Sequence, residues 1–277
     1  MSPYPQFDQV VFSGGGLRCF WQGGFLEEVR DRLPLEPARI SGVSGGALTA
    51  AGFVTRRGQK VLETMCRHFA QNDTNLPDDI DAQGMSPHQQ IYRNVIEEIL
   101  DADAVSDVVN GPSFQVLIGH PPSGDFPRLS GTAATIAYEA ELHTIASPHF
   151  DWSEKIGVES SLVDARQAAK DGKLADLICA AATIPPLFEP PTWNGREVID
   201  GGMANQAPMP DPDKGDTLVL LTRTYSGLEP VEGRLYTDPN EETPADKIDF
   251  TDGDKLQKTW ACGVKDGRRF LAQYTDD

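Results

Sequence analysis

No histidine follows His149, and the 277-residue chain holds only five. The ordinary serine hydrolase of α/β type takes its general base late in the chain, after the nucleophile and an acid. An early nucleophile in this chain would have no such base. Cysteines are also few: Cys19, Cys66, Cys179 and Cys262 stand far apart, without a Cys-x-x-Cys pair. That spacing argues against a zinc site and against a disulfide framework, and it suits small buried side chains of a reduced protein. Basic residues number 24 against 42 acidic ones, a formal charge of −18. Such a chain lacks the footprint for sequence-independent binding of DNA or RNA, so no nucleic-acid partner is expected. Docking on strongly anionic membranes is disfavoured in the same way. Long apolar runs are missing, and with them any membrane span. The opening MSPYPQFDQVVFSGGG has neither a basic n-region nor an apolar h-region, so a cytoplasmic protein is the expectation.

What is present fits a globular α/β chain. Hydrophobic residues make up 39% and charged residues 24%, ordinary values for a protein able to bury a sizeable core. We expect one domain over residues 1–277. Residues 8–12, DQVVF, form a short β-branched run that stops at Gly14-Gly15-Gly16, and 17–30 carry apolar residues at helical spacing. Residues 38–43 repeat the arrangement, a brief strand before Gly42-Val43-Ser44-Gly45-Gly46 and then a small-residue helix from 47 to 54. Two successive strand-to-helix turns of this kind gather at one edge of a parallel sheet, where open α/β folds build their sites.

Residues 72–111 read as a helical insertion over the sheet, with Ser86-Pro87 as N-cap and first helical residue. Further strands are expected at 114–118, 157–163, 197–199 and 217–222, and helices at 132–142 and 174–182. A polar loop is expected at 225–244, then a closing helix capped by Thr251 or Asp252 and reaching about residue 272.

Gly42-x-Ser44-x-Gly46 has the form of a nucleophile elbow. The glycines let a strand turn sharply into a helix, exposing the serine Oγ and aiming backbone N–H groups at the same point. A plain turn that needs glycine accounts for the same residues, so the motif alone leaves both open. Gly14 to Gly16 match neither the P-loop nor the dinucleotide-binding spacing, because Cys19 occupies the last glycine position. Their N–H groups, beside Ser44, suit the negative oxygen of a tetrahedral intermediate. Arg18 could brace this loop against carbonyls or a carboxylate. Asp200-Gly201-Gly202 follows a strand-like 197–199, whose end would deliver the Asp200 carboxylate to the sheet edge. A solvated aspartate is a weak base at neutral pH, so a catalytic Asp200 must be desolvated.

These blocks, together with Gly24, the segment 180–188 (AAATIPPLF) and Asn205, resemble the ordered signature of patatin-like phospholipases. The Gly263-x-x-x-Gly267-Arg268-x-Phe270 stretch is similar to bacterial members. The resemblance implies a three-layer α/β/α sandwich with a mainly parallel central sheet, and hydrolysis of lipid acyl esters by a Ser-Asp dyad. Residue by residue it assigns Ser44 as nucleophile and Asp200 as base. Gly14, Gly15, Gly16 and Gly45 are expected at the oxyanion hole, with Arg18, Gly42, Gly46, Gly201 and Gly202 expected in support. It implies a lipid or acyl-ester substrate met in transient contact with a membrane surface, and it calls for no cofactor and no metal. Two other readings compete: a Ser-His esterase or thioesterase using His120, His143 or His149, and a lipid-binding module without activity. The oligomeric state is not set by the sequence.

Overall fold

A computed structural model describes residues 4–72, 86–121, 146–149, 157–185 and 188–275. Its centre is a sheet in the order β4 (Glu159–Asp164), β3 (Ser113–His120), β2 (Arg39–Val43), β1 (Gln9–Phe12), β8 (Thr217–Leu220) and β9 (Arg234–Thr237). Strands β3, β2, β1, β8 and β9 run parallel. Strand β4 runs antiparallel to β3, as does the two-residue β7 (Ile199–Asp200). Away from this sheet, β5 (Thr192–Trp193) and β6 (Arg196–Glu197) form a small hairpin. Strand β1 is buried along its whole length because it lies between β2 and β8, and a run of apolar residues is what such a strand requires.

Alternation sorts the side chains between two cores. Val10, Phe12, Leu218 and Leu220 enter the main cluster, whereas Val11, Val219 and Leu221 meet Ala207 and Tyr225 on the other face. The main cluster receives α1 (Phe20–Val29), α2 (Gly45–Val54), α3 (Gly58–Phe69), α4 (Pro87–Ile99) and α5 (Ala102–Asn110). It also receives α6 (Ala165–Lys170), α7 (Leu174–Ala181) and α8 (Gly253–Ala272). The fold is thus α/β with a mainly parallel central sheet flanked by helices, as expected.

Local signals explain most boundaries. Ser86 Oγ accepts the Gln89 N–H at 3.2 Å with Pro87 at the first helical position, and Asp252 caps α8 through the Lys255 N–H. The stretch expected as one helix over 17–30 begins instead with a 3₁₀ turn, Gly16–Cys19, before α1. Gly16 at φ 57° is the reason, since the chain must first leave the left-handed region. The expected loop 225–244 contains β9, an edge strand whose four side chains are only half buried. The helix expected over 132–142 lies outside the described residues, as does the 73–85 part of the proposed insertion. No helix among the described residues is long and apolar enough to cross a membrane.

Candidate active site

Strand register brings the two key residues together. Val43, the last residue of β2, lies opposite Leu117 of β3, and there β2 turns away into α2. Strand β7 takes the place that β2 leaves, with Asp200 opposite the next residue, Ile118. The residue after Val43 therefore meets Asp200. Ser44 Oγ donates to Asp200 Oδ2 at 2.5 Å across 156 residues of sequence. Both are buried, Ser44 at 5% and Asp200 at 2% exposure, which meets the desolvation expected of Asp200. Asp200 Oδ1 accepts the Gly202 N–H at 2.6 Å, fixing the carboxylate on the turn that follows it. Gly201 lies against β3, where an added Cβ would come within 2.4 Å of the Leu117 carbonyl.

The elbow is strained. Ser44 has φ 54° and ψ −138°, a backbone conformation that side chains rarely adopt and that costs about 1–3 kcal/mol. Its glycine neighbours answer to crowding. A Cβ on Gly45 would lie 2.4 Å from the Gly16 carbonyl, one on Gly46 2.3 Å from that of Ser13, and one on Gly42 2.9 Å from Ala47 Cα. The elbow and the glycine loop are thus in direct backbone contact.

Within that loop the N–H groups of Gly15 and Gly16, like that of Gly45 at the start of α2, make no hydrogen bond to the described residues. Gly14 differs and corrects the expected donor set. Its N–H is held by the Gln206 carbonyl at 2.8 Å, and its own carbonyl accepts from Thr222 Oγ1 at 2.7 Å. Gly14 positions the loop, leaving Gly15, Gly16 and Gly45 as the available donors. Among the described residues the Arg18 side chain makes no hydrogen bond or ion pair, so none of them supplies the bracing expected of it. It lines a polar crevice of about 790 Å³ together with Gly14, Gly15, Arg223 and Glu242.

On the other side of Gly16 a small apolar cavity of about 50 Å³ opens on Ser44, walled by Leu48, Met65, Tyr92, Phe188 and Phe250 among others. Lys247 and Ile248 border both the cavity and the crevice. The Lys247 carbonyl accepts the Leu17 N–H at 3.2 Å, seating this segment over the glycine loop. Cys19 also lines the cavity; burial, reinforced by the Asp200 charge, pushes its thiol far above the usual range, so it is an inert wall.

Of the histidines weighed as a base, neither His120 nor His149 makes a hydrogen bond to Ser44. His120 contacts the Glu197 carbonyl at 3.0 Å and Ser161 Oγ at 3.1 Å, and His149 contacts the Tyr236 hydroxyl at 3.1 Å. His143 lies outside the described residues. Among the described residues no cluster of His, Cys, Asp and Glu is placed to hold a metal.

The sequence profile of the patatin-like phospholipases matches residues 10–212. The chain belongs to this family. Among solved structures, VipD from Legionella pneumophila is similar with a TM-score of 0.54 at 11% identity, covering 98% of this chain and 67% of that one. The type III effector protein ExoU matches with a TM-score of 0.39 at 13% identity, covering 99% of this chain and 54% of that one. No curated protein sequence matches. The VipD likeness supports the patatin-like fold. Sequence reading of this patatin-like chain missed Gln206, Thr222 and the 247–248 segment, which hold the glycine loop. Gln206 does so from the turn after Asp-Gly-Gly, where its Nε2 also donates to the Gly202 carbonyl at 2.9 Å. A polar residue so close to that turn was the one signal available.

Proposed function

We propose that this protein hydrolyses carboxylic esters of lipids through a Ser44–Asp200 dyad. The observation that carries the reading is the buried 2.5 Å hydrogen bond from Ser44 Oγ, on its strained elbow, to Asp200. Ser44 Oγ attacks the acyl carbonyl carbon while its proton passes to Asp200 Oδ2. The carbonyl electrons move to oxygen, and the N–H groups of Gly15, Gly16 and Gly45 hold the resulting anion, aided by the N-terminus of α2. Collapse of this intermediate expels the alcohol, which takes the proton back from Asp200 and leaves an acyl-serine. Water then attacks, Asp200 again accepting the proton; the acyl–Oγ bond breaks, Asp200 returns the proton to Ser44 Oγ, and the acid departs. The acyl part enters the apolar cavity, and the alcohol part faces the polar crevice beside Arg18.

The test is ester hydrolysis by the wild type, Ser44→Ala and Asp200→Asn. Both substitutions should lower kcat by at least about 10³-fold with folding unchanged. His120→Gln and His149→Gln should retain activity. Loss at either, with Asp200→Asn active, would transfer the reading to a Ser-His enzyme. A folded wild type inactive on all esters, yet able to bind them, would favour the lipid-binding module.

A further inference from the structure

The cavity on Ser44 is small for a lipid chain. Sites that enclose small molecules run to roughly 300–1,000 Å³, against about 50 Å³ here. Beside it lies a second, larger space of about 240 Å³ in the cleft between α1, α2 and α3, with Trp260 of α8 at its base. Phe20, Thr49 and Val61 belong to the walls of both. These three side chains are shared by the groove and the cavity that opens on the nucleophile. Thr49 ties the partition to the elbow, its Oγ1 donating towards the Cys19 and Gly45 carbonyls at 3.3 Å.

The groove is built for an alkyl chain. Leu26, Phe53 and the Trp260 ring supply apolar surface, and Gly23, Gly52 and Gly58 line the groove without side chains of their own. The Trp260 ring lies directly over Gly23, where any Cβ would strike it. Of its polar groups, Thr49, Gln59, Glu27 and Arg30 are engaged within the protein and Arg56 is exposed. Glu27 accepts the Trp260 Nε1–H, and Arg30 lies 4.4 Å above the Phe53 ring while donating to the Phe53 carbonyl at 2.8 Å. Nothing in the floor asks for a polar ligand.

We propose that this groove is the subsite for the distal tail of a long acyl chain. The carbonyl end would sit at Ser44, and the chain would pass Phe20, Thr49 and Val61 to end against Trp260. The proposal rests on Ser44 as the atom acylated. Each methylene seated in the groove strengthens binding by roughly fourfold, from about 0.8 kcal/mol per buried CH₂. Binding energy gained so far from the ester can be used to hold the carbonyl in place.

Two measurements test the tail site. In the first, kcat/KM is compared for dodecanoyl and butanoyl p-nitrophenyl esters. The wild type should prefer dodecanoyl by more than about tenfold, as two or more seated methylenes imply. Gly58→Leu, whose new side chain faces the Trp260 ring, should cut that ratio by about tenfold. Gln59→Trp on the exposed rim serves the same purpose if the first variant folds poorly. In the second, dodecanoate binding to Ser44→Ala is measured directly, with and without Gly58→Leu. Binding that weakens about tenfold on plugging supports the subsite even if the enzyme hydrolyses neither ester. An unchanged ratio, or dodecanoate binding indifferent to the plug, overturns it. Failure of the dyad reading has a different mark, retained hydrolysis in Ser44→Ala.

Discussion

At Ser44 a cost to the fold and a chemical purpose meet in one residue. The backbone at φ 54° and ψ −138° suits glycine, and the strain is worth about 1–3 kcal/mol. Comparing Ser44→Gly with Ser44→Ala isolates it, because both lose the hydrogen bond to Asp200 and only glycine relieves the backbone. Ser44→Gly should be the more stable of two inactive proteins by about 1 kcal/mol or more in urea melts. Equal midpoints would mean that the elbow is unstrained. A buried histidine, His88, and a half-buried one, His149, carry a second residue-scale effect. Burial lowers the titration of His88 and, with Arg234 adding to it, that of His149. A histidine lowered in the folded state leaves stability intact above its ordinary pKa of about 6.5, where both states are neutral. Below that value the unfolded chain takes up protons that the folded chain resists, so stability falls. Tm should drop between about pH 7 and pH 5, and His149→Gln should make the slope shallower. Asp101, lowered to about 2 chiefly by its hydrogen bond with Arg57, keeps its contribution until much more acid conditions and does not blur this window.

The closing helix shows what elements add. Helices α1 and α8 meet backbone to backbone: a Cβ on Gly263 would fall 2.1 Å from the Trp21 carbonyl. Asp266, at 6% exposure, ties the pair by accepting the Trp21 Nε1–H at 2.9 Å and the Asn240 Nδ2–H at 2.6 Å. Asp266→Ala strands these donors and should cost about 1–3 kcal/mol. In Trp21→Phe the same substitution should cost measurably less; an unchanged cost would assign the stability to Asn240. The Gly263 and Gly267 spacing was legible in the sequence as part of the family resemblance, and its use in close helix contact is a finding of the structure. Both strand-to-helix turns were legible as well, since turn chemistry is a local signal; in place of the strand expected over 197–199, Glu197 belongs to the β5–β6 hairpin and Ile199–Asp200 is the strand that carries Asp200. Strand β9 was not legible. An edge strand held by backbone bonds, with half-buried side chains, leaves little alternation to read. The hold of Lys247 on the glycine loop is made by a carbonyl, which every residue carries, so no side-chain pattern could reveal it.

Over the whole molecule, net charge governs the approach to a surface. At −18 the protein is repelled by anionic surfaces, although its family acts on lipids. Hydrolysis of one phospholipid should be slower in vesicles rich in anionic lipid than in neutral ones. Raising the salt should narrow the gap, as the screening length falls from about 30 Å at 0.01 M to about 8 Å at 0.15 M. Faster turnover on the anionic vesicles would instead require a local cationic docking patch. We read residues 1–277 as a single domain because the sheet itself is shared between the ends of the chain. Strand β1 has β2 on one edge and β8 on the other. The family profile stops at residue 212, short of β8, of Thr222 and Lys247 at the glycine loop, and of Trp260 under the groove. A gene fragment trimmed to that boundary would keep both Ser44 and Asp200 and lose their frame. Its most apolar strand would be left with a bare hydrogen-bonding edge, a template for aggregation. For this chain the portable unit is larger than the recognisable one.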